Sequence, residues 1–446
     1  MRIIIVGVGQ IGMHLAQILA MERHDVVVID PDPDRLRMVN ETLDVLTVEG
    51  SGTKAEILRQ ANVKDADIFI AVTQSEEVNF TCCAIASKLG ARKKIMRIRD
   101  PDFLQGMGPS AASDFGIDLV IYPEGIAAQE IVRLIRRSAA TEVLDFADGR
   151  MQLLGLKLDK RSPLAGKRLA DMPHPAEGLS YKVVCILRGI QTIIPKGDSV
   201  FQESDQLFII SKTADVPFML QVCGKSAAYL KNIMILGGGE VGHGVARELE
   251  NEVGIKLLES SKENSRKLAA SLKRTLVLHD EGKDLDLLVA EGILRMDAYI
   301  AVSPDEENNI ISCLMAKHLG VKKTIAMVDK VDYIPFSNAI GVDALVNKKL
   351  AAATSILKFI RKGDVVTAAT LHGVGAEALE LAARPDSPAT RKPIEDLGFP
   401  AGAVIGCILR SGDAFIPVGS TRIESLDRVV VFALPKAIPD VERMFR

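Results

Sequence analysis

Tryptophan is absent, and tyrosine and phenylalanine hold the aromatic share to 4% of 446 residues. So few rings give no stacking platform for single-stranded bases. Charge is balanced, with 55 Lys and Arg against 58 Asp and Glu and a net of −3. No global field therefore draws the chain to nucleic acid or anionic lipid, and no nucleic-acid partner is expected. No apolar run approaches the roughly 18 residues of a membrane span. A strand beginning at Arg2 is expected to leave no room for a signal peptide. The six cysteines are Cys82, Cys83, Cys185, Cys223, Cys313 and Cys407. They form no Cys-x-x-Cys pair and have no His or Asp cluster at zinc spacing, so no metal site is expected. They read as small buried hydrophobes in a reducing compartment.

Signatures of catalysis are also missing. His14, His24, His174, His243, His279, His318 and His372 are dispersed. No Tyr has Lys four residues on, and no Gly-x-x-x-x-Gly-Lys-Ser/Thr loop exists for ATP hydrolysis. The expectation is a protein that is not an enzyme. The alternative is an NAD-dependent oxidoreductase whose catalytic residues are scattered beyond recognition by pattern.

What is present is one glycine-rich sequence used twice. Residues 3–12 read Ile-Ile-Ile-Val-Gly-Val-Gly-Gln-Ile-Gly, and residues 233–242 read Ile-Met-Ile-Leu-Gly-Gly-Gly-Glu-Val-Gly. The offset is 237 − 7 = 230 residues. It recurs in Asp67–Thr73 against Asp297–Ser303, and in Glu76, Asn79 and Cys83 against Glu306, Asn309 and Cys313. Two such halves leave little sequence for a substrate domain.

Each half opens with apolar strands alternating with amphipathic helices, which indicates a parallel sheet covered on both faces, the doubly wound fold. The first half predicts strands at 2–6, Val26–Asp30, Leu43–Val48, Asp67–Val72, Ile95–Ile98 and Leu119–Ile121. Its helices are expected over Ile11–Met21, Pro31–Asn40 (capped by Asp34), Thr53–Ala61 and Glu76–Leu89. A long helix then spans Glu124–Ala140, with Arg133, Arg136 and Arg137 on a solvated face or an interface. From Glu142 the character changes to short strands and turns: Gln152–Leu158, Lys182–Leu187, Thr192–Pro195 and Gln206–Ser211. This small α+β lobe recurs, with Tyr-Lys-Val-Val-Cys-Ile-Leu-Arg at 181–188 resembling Ala-Val-Ile-Gly-Cys-Ile-Leu-Arg at 403–410. The expected class is α/β, two tandem modules, each a Rossmann-like N-lobe plus a small α+β C-lobe. The lobes are expected at 1–140, 141–225, 230–361 and 362–446, with 225–231 joining the halves.

In the glycine turn the first Gly allows a tight exit from the strand, and the second lets the backbone approach a pyrophosphate. The third lets the helix pack on the strand. Backbone N–H groups and the helix dipole then favour phosphate. The candidate turns are Gly7, Val8, Gly9, Gln10, Ile11 and Gly12, and Gly237, Gly238, Gly239, Glu240, Val241 and Gly242. An acid ends the second strand, Asp30 in one half and Glu259 in the other, where it accepts from ribose hydroxyls and repels a 2′-phosphate. Ligands lie outside the carboxyl ends of parallel strands. That places Ser51, Thr73, Gln74 and Arg99 in the first pocket, and Asp280 and Ser303 in the second. Arg99 suits the phosphates or an outer ribose; the alternative is an ion pair with Asp100 or Asp102. The second half has Asp329-Lys330 where the first has Arg99-Asp100, so the two sites should differ.

Taken together, Gly7–Gly12 with Asp30, Ala71–Thr73, Arg97–Pro101 and the Pro-x-Gly-Asp of Pro195–Asp198 resemble the TrkA family along essentially the whole chain. These are the tandem RCK (or KTN) regulatory subunits of Trk-type potassium uptake systems. The resemblance implies a cytoplasmic homotetrameric ring, peripheral at the inner face of the cell membrane. It implies docking on a TrkH-like K⁺-translocating subunit, with NAD(H), ATP or ADP binding the N-lobes as effector. Related modules form dimer contacts at the start of the long helix, near Glu124. The second half aligns Lys348 there, so a shared ion site is not expected. The second C-lobe departs from the Pro-x-Gly-Asp pattern, reading Pro417-Val-Gly-Ser420.

Overall fold

Runs such as Ile3-Ile4-Ile5-Val6 can be buried on both sides only between two helical layers. The computed structural model describes every residue except 106–110, 161, 173–180, 190, 226–229, 283, 331–332, 334–339, 361–364 and 371–374. The join at 225–231, the lobe boundary at 361–362, His174 and His372 therefore lie wholly or partly outside the described residues. The chain groups into two units, 1–127 with 347–360, and 128–346 with 361–446.

The first unit holds β1 (Arg2–Val6), β2 (Asp25–Asp30), β3 (Leu46–Glu49), β4 (Ile68–Ala71), β5 (Lys93–Arg97) and β6 (Leu119–Ile121). All pairings are parallel, in the order β3-β2-β1-β4-β5-β6. The order reverses between β1 and β4, which opens a crevice at their carboxyl ends. Helices α1 (Gln10–Met21), α2 (Pro33–Thr42), α3 (Ala55–Gln60) and α4 (Glu76–Leu89) follow the first four strands. Helix α2 starts later than the sequence predicts, and its cap is Asp32, not Asp34. Pro33 occupies the first helical turn, so the residue before it takes the cap, accepting from the amides of Asp34 (3.0 Å) and Arg35 (3.4 Å). Helix α4 matches its expected span and stops at Gly90, whose φ of +103° favours glycine.

One face of this sheet is closed by a helix from far along the chain. Lys348–Ile360 buries Ala352, Ala353, Ile356, Leu357 and Ile360 against Leu15, Leu19 and Ile121. The Lys93 ammonium lies 5.3 Å from the Phe359 ring centroid. By sequence this helix follows the sixth strand of the second half. The other face packs on α3 and α4 through Leu58, Cys82, Cys83 and Ala86.

In the second unit, β12 (Asn232–Leu236), β13 (Gly254–Glu259), β14 (Leu276–His279), β15 (Ala298–Ala301), β16 (Lys323–Met327) and β17 (Ala344–Val346) repeat the first sheet's order. The helix Pro123–Arg136, shorter than its expected reach to Ala140, runs against this lobe. A Cβ on Gly244 would lie 3.1 Å from that of Ala128. Arg136 binds Glu252 at 2.6 Å and Glu248 at 3.3 Å, so that arginine makes an interface. Each crossover helix thus packs on the opposite Rossmann-like lobe.

Two five-stranded antiparallel sheets complete this unit. One contains β7 (Glu142–Phe146), a strand the sequence reading missed, with β8 (Met151–Lys157), β9 (Tyr181–Arg188), β10 (Gln191–Ile193) and β11 (Gln206–Lys212). The other contains β18 (Val365–Thr370), β19 (Glu377–Ala382), β20 (Ala403–Arg410), β21 (Asp413–Phe415) and β22 (Arg428–Ala433). Their orders, β7-β8-β11-β9-β10 and β18-β19-β22-β20-β21, are the same topology. They share a core in which the Phe146 and Phe432 rings meet edge to face at 6.0 Å. The arginine ending the repeated Cys-Ile-Leu-Arg segment is structural. Arg188 makes two bonds of 2.8 Å to the buried Asp205, and Arg410 bonds the buried Asp427 at 2.9 and 2.7 Å.

Candidate nucleotide-binding site

The first sheet's crevice holds a cavity of about 570 Å³, an ordinary size for a small-molecule site. Gly7, Gly9, Gln10, Ile11, Asp30, Ser51, Thr73, Gln74 and Arg99 all line it. Val8 and Gly12 do not, and they support the loop from beneath. The buried Val8 donates its N–H to Asp30 Oδ2 at 2.7 Å. A Cβ on Gly12 would come 1.9 Å from Gly7 O. Gly7 has φ +99°, and an added Cβ would come 3.0 Å from Thr73 N. Glycine at 7 and 12 is therefore required by the fold.

Glycine at 9 is not. Its φ is −71°, and an added Cβ would meet no atom within 4 Å. Gly239 is the same, with φ −64° and open space around its Cβ. Nothing in either lobe's own packing calls for the missing side chain. A ligand approaching the backbone would. The helix ends agree. Asp32 and Ser75 cap α2 and α4, but no side chain caps α1 at Gly9 or the helix Glu240–Leu249 at Gly239. Their first-turn N–H dipoles are left for an anion.

Asp30 is 4% exposed and already engaged, with Oδ1 accepting from Asp32 N at 2.9 Å and Oδ2 from Val8. Each oxygen keeps a further lone pair for a ribose hydroxyl. Glu259 repeats this with a longer arm, taking Gly238 N at 2.9 Å and Ser261 N at 2.7 Å. The additional glycine sits where Leu268 and Glu259 crowd the turn. A Cβ at Gly238 would come 2.8 Å from Glu259 Oε2 and 2.3 Å from Leu268 Cδ1. Asp280 accepts from Gly282 N at 2.7 Å, and Ser303 lies at the carboxyl end of β15.

Sequence reasoning paired Asn79 with Asn309 but gave neither a role. Asn79 Oδ1 accepts from Thr73 N (2.8 Å) and Thr73 Oγ1 (2.7 Å), while Nδ2 donates to Thr73 O (3.2 Å) and Arg97 O (3.0 Å). One buried amide thus ties the ends of β4 and β5 together. Asn309 does the same for Ser303 and Met327. Glu76 holds the next loop through the amides of Arg99 and Asp100, and Glu306 repeats it at Asp329 and Lys330.

The far wall also contains residues that the sequence reading did not place in the pocket. Arg97 and Glu124 form an ion pair of 3.7 Å, with Arg97 Nε and Glu124 Oε2 buried and lacking a partner. Burial lowers the Arg97 pKa. Arg35, paired with Asp32, lines the mouth. Arg99 is exposed and makes no ion pair with Asp100 or Asp102 among the described residues. Lys348 and Lys349 enter from the start of the helix that closes the sheet. No sequence proximity could have pointed to them. The cysteines lie elsewhere, all buried, and burial raises the thiols of Cys82, Cys185 and Cys223 to about 12. They remain inert thiols at neutral pH. No described helix is long and apolar enough to cross a membrane.

A family model of the TrkA-N domain matches residues 3–123 and 233–348, and one of the TrkA-C domain matches 378–446. The Trk system potassium uptake protein TrkA of Halomonas elongata is 34% identical, covering 100% of this chain and 99% of its own. The TrkA homolog of Archaeoglobus fulgidus is 34% identical, covering 100% of both chains. Among solved structures, the GsuK RCK domain shares the fold at TM-score 0.61 and 19% identity, over 100% of this chain and 95% of that one. The GsuK channel bound to NAD does so at TM-score 0.62 and 19% identity, over 100% of this chain and 78% of that one. With two TrkA-N matches, one TrkA-C match and relatives aligned from end to end, the chain belongs to the TrkA family.

Proposed function

We propose that the chain is the nucleotide-binding regulatory subunit of a Trk-type potassium uptake system, acting without catalysis. The observation that carries this is glycine at 9 and 239, where the fold alone would accept a side chain, beside uncapped helix starts. Asp30 and Glu259 would accept from an adenosine ribose. The amides of Gln10 and Ile11, and of Glu240 and Val241, would face the phosphates. NAD(H), ATP and ADP all fit this chemistry, and a 2′-phosphorylated dinucleotide does not. GsuK structures carrying NAD and ADP support the ligand class. In this reading the lobes divide at 1–140, 141–225, 230–361 and 362–446. Four chains form a ring at the inner membrane face, docked on a TrkH-like subunit, and the bound nucleotide biases its shape. The nucleotide shifts that equilibrium only by its different affinity for the two ring states.

The test is calorimetric titration of the full chain with ATP, ADP, NAD and NADH, with recovered nucleotide assayed for turnover. Binding at one or two sites per chain without consumption is expected. Steady oxidation of NADH with an added carbonyl substrate would overturn the reading. Co-purification with a detergent-solubilised membrane subunit tests the partner.

A further inference from the structure

The cavity is shared between the two modules. Sheet order places Asp30, ending β2, on one side of the glycine turn, and Arg97 and Arg99, ending β5 and following it, on the other. A nucleotide with its ribose at Asp30 and its first phosphates on α1 therefore extends towards the β5 side. That wall carries Arg97, Arg99, Lys348 and Lys349, with Glu124 paired to Arg97. Both lysines start a helix whose N-cap, Asn347, accepts from the amides of Lys349 (2.9 Å) and Leu350 (3.0 Å), fixing its first turn. Lys349 also lies close enough to α1 to lower the His14 pKa, after the larger effect of burial. Terminal phosphates of a nucleoside di- or triphosphate are anionic, whereas the nicotinamide riboside of a dinucleotide carries no negative charge. The second lobe has Met327 and Asp329 where the first has Arg97 and Arg99.

We infer that Lys348 and Lys349, supplied by the second module, complete the distal phosphate subsite of the first lobe and make that site selective for nucleoside polyphosphates. The inference rests on the nucleotide-binding reading above. It also makes the ligand a tie between the first glycine turn and the second module's crossover helix.

The experiment is titration of the full chain with AMP, ADP, ATP and NAD, comparing wild type with Lys348→Ala, Lys348→Arg and the double variant Lys348→Ala/Lys349→Ala. In wild type, affinity at one site per chain rises from AMP to ATP and falls steeply with added salt. The double variant loses roughly tenfold or more for ATP, with AMP and NAD within twofold. Lys348→Arg retains the ATP preference. Lys348 is the more exposed of the two, so its single variant reads the effect if Lys349→Ala disturbs folding. An unchanged ATP-to-AMP ratio in variants that still bind both overturns the inference and leaves the nucleotide site standing. A wild type that binds no adenine nucleotide overturns the underlying reading as well.

Discussion

Asp30 has two tasks at once. It holds the glycine turn through Val8, and in the proposed reading its remaining lone pairs would accept from a ligand. Replacing it by alanine removes charge-assisted bonds of about 1.5–3 kcal/mol, so adenosine nucleotides should bind the first lobe roughly 10–100-fold more weakly. Calorimetry reads this directly, and unchanged affinity would remove Asp30 from the site. The residue was legible in the sequence because its chemistry and spacing are local to one strand–turn–helix unit. Asn79 was visible only as a repeated letter. Its four partners lie on two strand ends that pairing brings together, and no pattern in a linear chain marks that.

The glycine turn separates the demands of the element from those of its ligand. Gly12→Ala places a methyl against Gly7 O and should lower stability by about 1–3 kcal/mol. Gly9→Ala meets open space, so its thermal melt should match wild type while nucleotide affinity collapses. A Gly9→Ala chain that still binds nucleotide at wild-type strength would show that no ligand approaches there. Elements with local stop signals, such as α4 with Ser75 and Gly90, were readable to the residue. Strand β7 was not, because Glu142–Phe146 is polar and apolar in no clean alternation. Its pairing with β8 and the partner sheet's core make it a strand.

Two consequences belong to the whole molecule. Ile356 is fully buried in the first lobe's core although it lies in the second half of the chain. Ile356→Ala should therefore loosen β1 and α1 by about 2–5 kcal/mol. Hydrogen exchange would show faster opening there, and unchanged protection of those strands would refute the packing. Lys323 is buried, its ammonium donating to Ala140 O, and burial lowers its pKa to about 8, against attraction from Asp343. The unfolded chain thus holds more protons between pH 8 and the ordinary lysine range. Stability should rise as pH climbs from 8 towards 10. In denaturant titrations, Lys323→Met should flatten that rise; an identical slope would mean Lys323 stays charged in the fold.

The sequence by itself determined the duplication, the alternating strands and helices, the glycine turns and the acids that follow them. These rest on hydrophobic period, backbone freedom and charge within about thirty residues of one another. Tertiary structure alone decided which helix covers which sheet, and so which cations reach the first pocket. A crossover helix shows an apolar face in its sequence but not the address of the face it meets. Two similar sheets compete for it, and only packing of the folded chain places Lys348 and Lys349 at a turn that begins at Gly7.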